Sequence, residues 1–166
     1  MTHQDAFNDQ LPRLNLPPAE LHLSRCGKIV KVFDQLRKKY VVLTPEEYVR
    51  QNFVAWLIKY LHYPESLLAN EIGINLNGTK KRCDTVVFNP NGSPLIIVEY
   101  KAPDIVITQN VFDQIMRYNM CLHARYLIVS NGMKHYCCVI NYENGAYNFI
   151  PNIPDYTELK NIFSIN

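Results

Sequence analysis

The sequence predicts an α/β protein, a sheet of mixed direction with helices packed on its faces, on three observations. Apolar residues recur at helical spacing in two segments, Val49, Phe53, Trp56, Leu57, Tyr60 and Leu61 in the first, Val111, Ile115, Tyr118 and Leu122 in the second. Between them lie three strand-like runs punctuated by Asn77-Gly78 and by Asn89-Pro90-Asn91-Gly92-Ser93-Pro94. The last of these runs, Leu95-Ile96-Ile97-Val98, is apolar at consecutive positions, the pattern of a strand covered on both sides.

Residues 1–20 are polar and proline-bearing and read as an extended segment, with 21–166 as one domain whose core spans about 44–131. Leu21-His22-Leu23 and Ile29-Val30-Lys31-Val32-Phe33 flank Gly27-Lys28 as a short hairpin, and the basic run Arg37-Lys38-Lys39 follows. Thr44-Pro45-Glu46-Glu47 is a helix start: a capping threonine, a proline at the first helical position, and an acid three residues on that completes a capping box. That helix should stop near Tyr63-Pro64. Strands are expected at 67–76, 82–88 and 95–101, then a helix at 108–122. A strand at 125–130, a second two-residue turn at Asn131-Gly132 and a partner strand at 134–142 come next. Residues 146–150 read as an edge strand before a proline-containing tail.

With 166 residues, 48% of them hydrophobic, the chain suits one domain with a real core. Its net charge of +2 is too mild to announce nucleic-acid binding, so that case must rest on local clusters. Five cysteines with no C-x-x-C pair argue for reduced thiols and a cytoplasmic setting. No secretory signal or membrane-spanning run is expected. The five histidines lack metal-ligand spacing, and no phosphate-binding G-x-x-x-x-G-K-[ST] loop is present, so ATP-driven translocation is excluded for this chain.

The chemistry concentrates in Leu95-Ile96-Ile97-Val98-Glu99-Tyr100-Lys101. A glutamate ending a buried strand carries a desolvation cost that something positive must offset. Strand periodicity sets Glu99 and Lys101 on one face, so the plainest explanation is an ion pair at the sheet edge. The preceding strand changes that balance, because Lys80-Lys81-Arg82-Cys83-Asp84 leads an acid into its apolar half, and a meander sets Asp84 beside Glu99. Two half-buried carboxylates side by side raise each other's pKa unless a cation lies between them. Oxygen donors of this kind suit Mg²⁺ or Mn²⁺, ions that keep waters and accept phosphate oxygens. Lys101 then stands where an ammonium orients or deprotonates an attacking water, or neutralises the phosphate.

These residues resemble the PD-(D/E)XK nuclease superfamily, with Asp84 as the motif aspartate and Glu99-Tyr100-Lys101 as the E-x-K; Cys83 replaces the usual proline. Gln114-Ile115-Met116-Arg117-Tyr118 is similar to the Q-x-x-x-Y motif of the RecB-like branch and of type I restriction enzyme R subunits. Lys81-Arg82-Cys83-Asp84 and the run from Gly92 to Lys101 look like the amino-terminal nuclease domain of those subunits, here as a stand-alone relative. The resemblance implies a restriction-endonuclease-like αβββαβ core with extra strands at both ends, and Mg²⁺-dependent hydrolysis of DNA phosphodiesters. Asp84, Glu99 and the main-chain carbonyl of Tyr100 would ligate the metal, with Lys101 and Gln114 completing the catalytic set. Glu71 matches an acidic position that often precedes the aspartate, as a further candidate ligand. Some relatives carry a ligating glutamate in the first helix; Glu47 occupies that region, although its capping-box role is the simpler reading. Lys80, Lys81, Arg82, Gln114 and Tyr118 are candidate nucleic-acid contacts. Implied partners are DNA, other restriction or defence subunits and, for double-strand cutting, a second copy of the chain. The rival reading is a non-catalytic module that keeps the fold and binds nucleic acid or protein.

Overall fold

Strand β6 (Pro94–Tyr100) lies at the centre of a six-stranded sheet, in a computed structural model that describes residues 11–163. The sheet order is β4 (Leu68–Leu76), β5 (Thr79–Phe88), β6, β7 (Tyr126–Ser130), β8 (His135–Asn141) and β9 (Ala146–Ile150). All neighbours run antiparallel except β6 and β7, which are parallel and joined through helix α2 (Gln109–Leu122). A parallel pair needs such a crossover, and its helix covers one face.

Helix α1 (Pro45–Lys59) covers the other face. Ile96 and Val98 of β6 pack toward it with Val49, Phe53 and Leu57, whereas Ile97 packs with Val111, Phe112 and Ile115 of α2. The apolar run in β6 is therefore buried on both sides, as its composition predicts. Burying one such side chain contributes about 1.5–3 kcal/mol. This is the mixed α/β, restriction-endonuclease-like architecture expected from the sequence.

Local chemistry explains the boundaries. Thr44 caps α1 by accepting the Glu47 N–H at 3.0 Å, and Pro45 opens the first turn. The reciprocal half of the capping box is absent: the Thr44 N–H donates to the Val42 carbonyl, and the Glu47 carboxylate is engaged by Arg37. Asn77 and Gly78 are both left-handed, as the tight β4–β5 turn demands. Asn131-Gly132 differs from expectation. Only Gly132 has positive φ, and the turn spans four residues because Ser130 pairs with His135. The Asn131 carboxamide organises it, accepting N–H groups from Met133 and Lys134.

Three further elements refine the expected outline. A short strand, β3 (Lys39–Val42), joins β1 (Leu23–Cys26) and β2 (Ile29–Asp34), so the amino-terminal hairpin is a separate three-stranded sheet. The proline-containing tail carries helix α3 (Tyr156–Phe163), whose Leu159 is buried in the α1-side core. Glu65–Leu67 forms a 3₁₀ turn before β4. Residues 11–22 form no helix or strand, and the rest of the expected extended segment, residues 1–10, lies outside the described residues.

Leu14 and Asn15 strap the β7–β8 turn. Asn15 donates to the Gly132 carbonyl at 2.8 Å, and the Asn15 carbonyl meets His135 Nε2 at 2.9 Å. A carbonyl can only accept, so Nε2 carries the proton and Nδ1 accepts from Ser130 Oγ at 2.8 Å. At Gly132, φ is +80°, and an added Cβ would meet a Leu14 methyl at 2.7 Å and a Val49 methyl at 3.2 Å. Gly132→Ala is expected to cost about 1–3 kcal/mol, read as a lower urea midpoint at unchanged slope.

Candidate active site

The β5–β6 pairing stops at Thr85 opposite Val98. Beyond that point β5 stays with β4 as far as Thr79, and β6 stays with β7, where Tyr100 lies opposite Ser130. The two strands fork, and the side chains of Asp84 and Glu99 occupy the opening. Divergence leaves the Tyr100 N–H without a strand partner, and Asp84 Oδ2 accepts it at 2.8 Å. Glu99 is 6% exposed, and Lys101 Nζ lies 3.3 Å from its Oε1. Lys101 itself is held in line by its own N–H bond to the Ser130 carbonyl.

Burial pushes the Glu99 carboxyl up to about 7, with the neighbouring Asp84 charge adding to the rise and Lys101 opposing it. Asp84 is raised too, chiefly by burial, against the pull of the Tyr100 N–H and the Arg50 guanidinium. Two carboxylates so coupled release their protons as a pair. Cys83, next in the chain to Asp84, is pushed up to about 12 by burial and then by Glu99 and Asp84, so it stays an unreactive thiol.

Arg50 was not foreseen. Its side chain is 7% exposed and reaches from α1 to Glu71 at 2.7 Å, Asp84 Oδ1 at 3.3 Å and Glu47 at 3.7 Å, over the Tyr100 ring. Arg50, Gln51 and Asn52 are three consecutive polar residues between the apolar Val49 and Phe53. All three are buried, a property that nothing in the local sequence pattern signals. Glu71 sits across from Asp84, since Asn70 opposes Thr85 and Ile72 opposes Cys83. Its backbone is left-handed (φ +59°), a strain of roughly 1–3 kcal/mol in a non-glycine residue. Arg50 and Arg82 clamp its carboxylate at 2.7 and 3.1 Å. Glu71 thus lies beside Asp84 but is already neutralised.

The first-helix acid that faces the carboxylates is Glu46, whose charge raises both Asp84 and Glu99. Glu47 is bound instead to Arg37 at 2.7 Å and Gln51 at 2.8 Å, with its other oxygen 3.7 Å from Arg50. Gln114 and Tyr118 share a face of α2, as their spacing requires, and the Gln114 amide donates to the Tyr118 hydroxyl at 2.9 Å. Among the described residues, the hydrogen bond of Gln114 goes to Tyr118 rather than to Asp84, Glu99 or Lys101. Lys80, Lys81 and Arg82 are exposed on β5 and line one cleft of about 900 Å³ with Glu46, Arg50, Glu71 and Asp84. The cleft is basic along the hairpin and acidic at the fork.

Among the described residues, no three His, Cys, Asp or Glu side chains gather into a metal cage. The donors at the fork are two carboxylates and the adjacent main chain of Tyr100, all hard oxygens, and the mutual repulsion of Asp84 and Glu99 is what a cation relieves. That donor set fits a divalent ion which keeps part of its water shell.

A six-stranded mixed sheet with helices on both faces is the architecture of the restriction-endonuclease-like class of α/β proteins. The chain belongs to the family described as type I restriction enzyme R protein N terminus (HSDR_N), whose profile matches residues 45–154. Among solved structures it is similar to a fragment described as an HsdR subunit of a type I restriction enzyme from Vibrio vulnificus YJ016. That similarity has a TM-score of 0.53 at 17% identity and covers 72% of this chain and 25% of the other. The chain therefore spans about a quarter of that structure's length. No curated protein matches. No helix among the described residues is long and apolar enough to cross a membrane.

Proposed function

We propose that this chain is a divalent-metal-dependent deoxyribonuclease that hydrolyses phosphodiester bonds at the β5–β6 fork. The observation that carries the reading is the pair Asp84 and Glu99, both raised by burial, with Lys101 at 3.3 Å. Asp84, Glu99 and the Tyr100 carbonyl would hold Mg²⁺ or Mn²⁺. When bound, such an ion lowers the pKa of water and neutralises charge on a phosphoryl oxygen. Asp84 is held by the Tyr100 N–H at Oδ2 and by Arg50 at Oδ1, and it lines the cleft. Lys101 orients the attacking water and counters the charge that develops on the phosphate. Gln114, fixed by Tyr118, stands on the helix that follows and supports the substrate.

Lys80, Lys81 and Arg82 bind the DNA backbone along the basic side of the cleft. A Lys80→Ala, Lys81→Ala double variant should bind DNA several-fold more weakly in EDTA at 0.1 M salt. Its salt dependence should flatten by about two counterions, measured by titration at several salt concentrations. Other restriction subunits are the proposed protein partners, since the family is named for one subunit of a larger enzyme. A homodimer would place two sites on a duplex.

The direct test incubates supercoiled and single-stranded DNA with the protein in Mg²⁺, Mn²⁺ and EDTA. Nicking that requires the metal supports the proposal. One observation favours the rival, non-catalytic module: Arg50 already neutralises Asp84 and Glu71 without a metal. DNA binding with no cutting under either ion would select that reading.

A further inference from the structure

Asp34, at the end of β2, lies outside the matched family segment and is fully buried. Its two oxygens do different work. Oδ1 accepts the N–H groups of Leu36 and Arg37, both at 2.8 Å, and so shapes the β2–β3 turn. Oδ2 accepts from three side chains, Arg37 Nε at 2.5 Å, Asn70 at 2.9 Å and Gln51 at 3.1 Å. Burial alone would raise this carboxyl, but the Arg37 N–H and the Asn70 and Arg37 side chains hold it below its usual range.

Two arms leave Oδ2, and both end on Asp84. Along one, Arg37 reaches Glu47 at 2.7 Å, Glu47 lies 3.7 Å from Arg50, and Arg50 meets Asp84 Oδ1 at 3.3 Å. Along the other, Asn70 accepts the Thr85 hydroxyl at 2.6 Å, and Thr85 accepts the Tyr100 hydroxyl at 3.0 Å. Tyr100 then presents its main-chain N–H to Asp84 Oδ2. Asp34, Glu47, Arg50, Asn70 and Thr85 are buried, where a mispaired polar group costs most, and Arg37 and Asp84 are partly exposed. The two arms meet different oxygens of Asp84, Arg50 at Oδ1 and the Tyr100 N–H at Oδ2, so each arm constrains one of them.

We propose that Asp34 is a positioning residue for the fork: from the amino-terminal sheet it fixes both oxygens of Asp84 through Arg50 and Tyr100. Its consequence for catalysis rests on the nuclease reading above, whereas its effect on Tyr100 does not.

Asp34→Asn separates the two jobs, because an amide oxygen at Oδ1 keeps the turn while an NH₂ at Oδ2 faces three donors. Thr85→Val breaks only the second arm and serves if the first variant does not fold. The measurement is amide hydrogen exchange at Tyr100, compared with Ile128 in the middle of β7, on the full chain in EDTA. Expected is about tenfold faster exchange at Tyr100 in either variant, the scale of one weakened hydrogen bond, with Ile128 unchanged. Metal-dependent cleavage should then fall in kcat with KM for DNA unchanged. Unaltered exchange at Tyr100 in a folded variant overturns the proposal, and so does an equal rise at Ile128, which marks a merely structural role. Faster exchange at Tyr100 in the variants of a parent that cuts no DNA upholds the positioning and overturns the nuclease.

Discussion

Lys101→Ala is expected to keep its fold and its DNA affinity while losing metal-dependent nicking by at least about 100-fold, the scale seen when one preorganised charge is removed from a reacting centre. The fold survives because Lys101 holds its place by a main-chain bond to Ser130, which alanine retains, and its side chain enters no core cluster. Catalysis does not survive, because Nζ is the cation closest to Glu99 and stands where negative charge accumulates. Asp84→Ala should be as inactive and should also release the Tyr100 N–H from its acceptor. The assay follows supercoiled plasmid in Mg²⁺ and Mn²⁺, with circular dichroism as the check on folding. Undiminished nicking by Lys101→Ala would place the activity at another site or in a contaminant.

Glu99→Gln should behave in the opposite sense on stability. The Glu99 carboxyl rises from an ordinary 4.5 to about 7 on folding, so between those values the native chain binds the proton more firmly than the unfolded one. Stability is therefore fullest below about pH 4.5, falls as pH climbs toward 7, and levels off above it. The loss is at most about 3 kcal/mol. His135 tilts the profile the other way, because burial lowers its pKa and its protonation below pH 6.5 favours unfolding. The difference between parent and Glu99→Gln cancels His135 and reports the carboxylate pair, Glu99 together with its repulsion of Asp84. In EDTA the variant should gain roughly 1–3 kcal/mol over the parent at pH 8 and almost nothing at pH 5. Mg²⁺ should stabilise the parent and not the variant. Parallel melting curves across pH 5–8 would mean that Glu99 carries no strain from its neighbour.

The sequence made most of the sheet legible, because period-two and period-3.6 patterns and glycine turns act locally. Asn77-Gly78 needed two positive φ values and took them; Asn131-Gly132 looked the same but was decided by the Asn131 side chain and the Leu14 strap. The α3 helix escaped notice because its apolar face matters only once it packs on α1-side residues far away in the chain. At the candidate site, Asp84, Glu99 and Lys101 are brought together as their spacing implies, and Gln114 and Tyr118 meet each other. Arg50, Glu46 and Asp34 were missed for one reason. The partners that decide their roles, Gln51 and Asn70 for Asp34, Glu71 and Asp84 for Arg50, Asp84 and Glu99 for Glu46, lie 17 to 53 residues away and on other elements, so no local period records them. Glu46 and Glu47 are adjacent, and only the angle at which α1 crosses the sheet decides which one faces the fork.

The left-handed turn of backbone at Glu71 has a second consequence. Strand β4 borders the six-stranded sheet, and an uninterrupted border strand is a template on which further chains can polymerise. At Glu71 the left-handed backbone interrupts the regular run of β4 in its middle, and the Glu71 carboxylate is tied to two arginines. The strained residue beside the fork thereby also keeps this border from presenting a continuous seam, and a variant that straightened it would trade local strain for a tendency to self-associate.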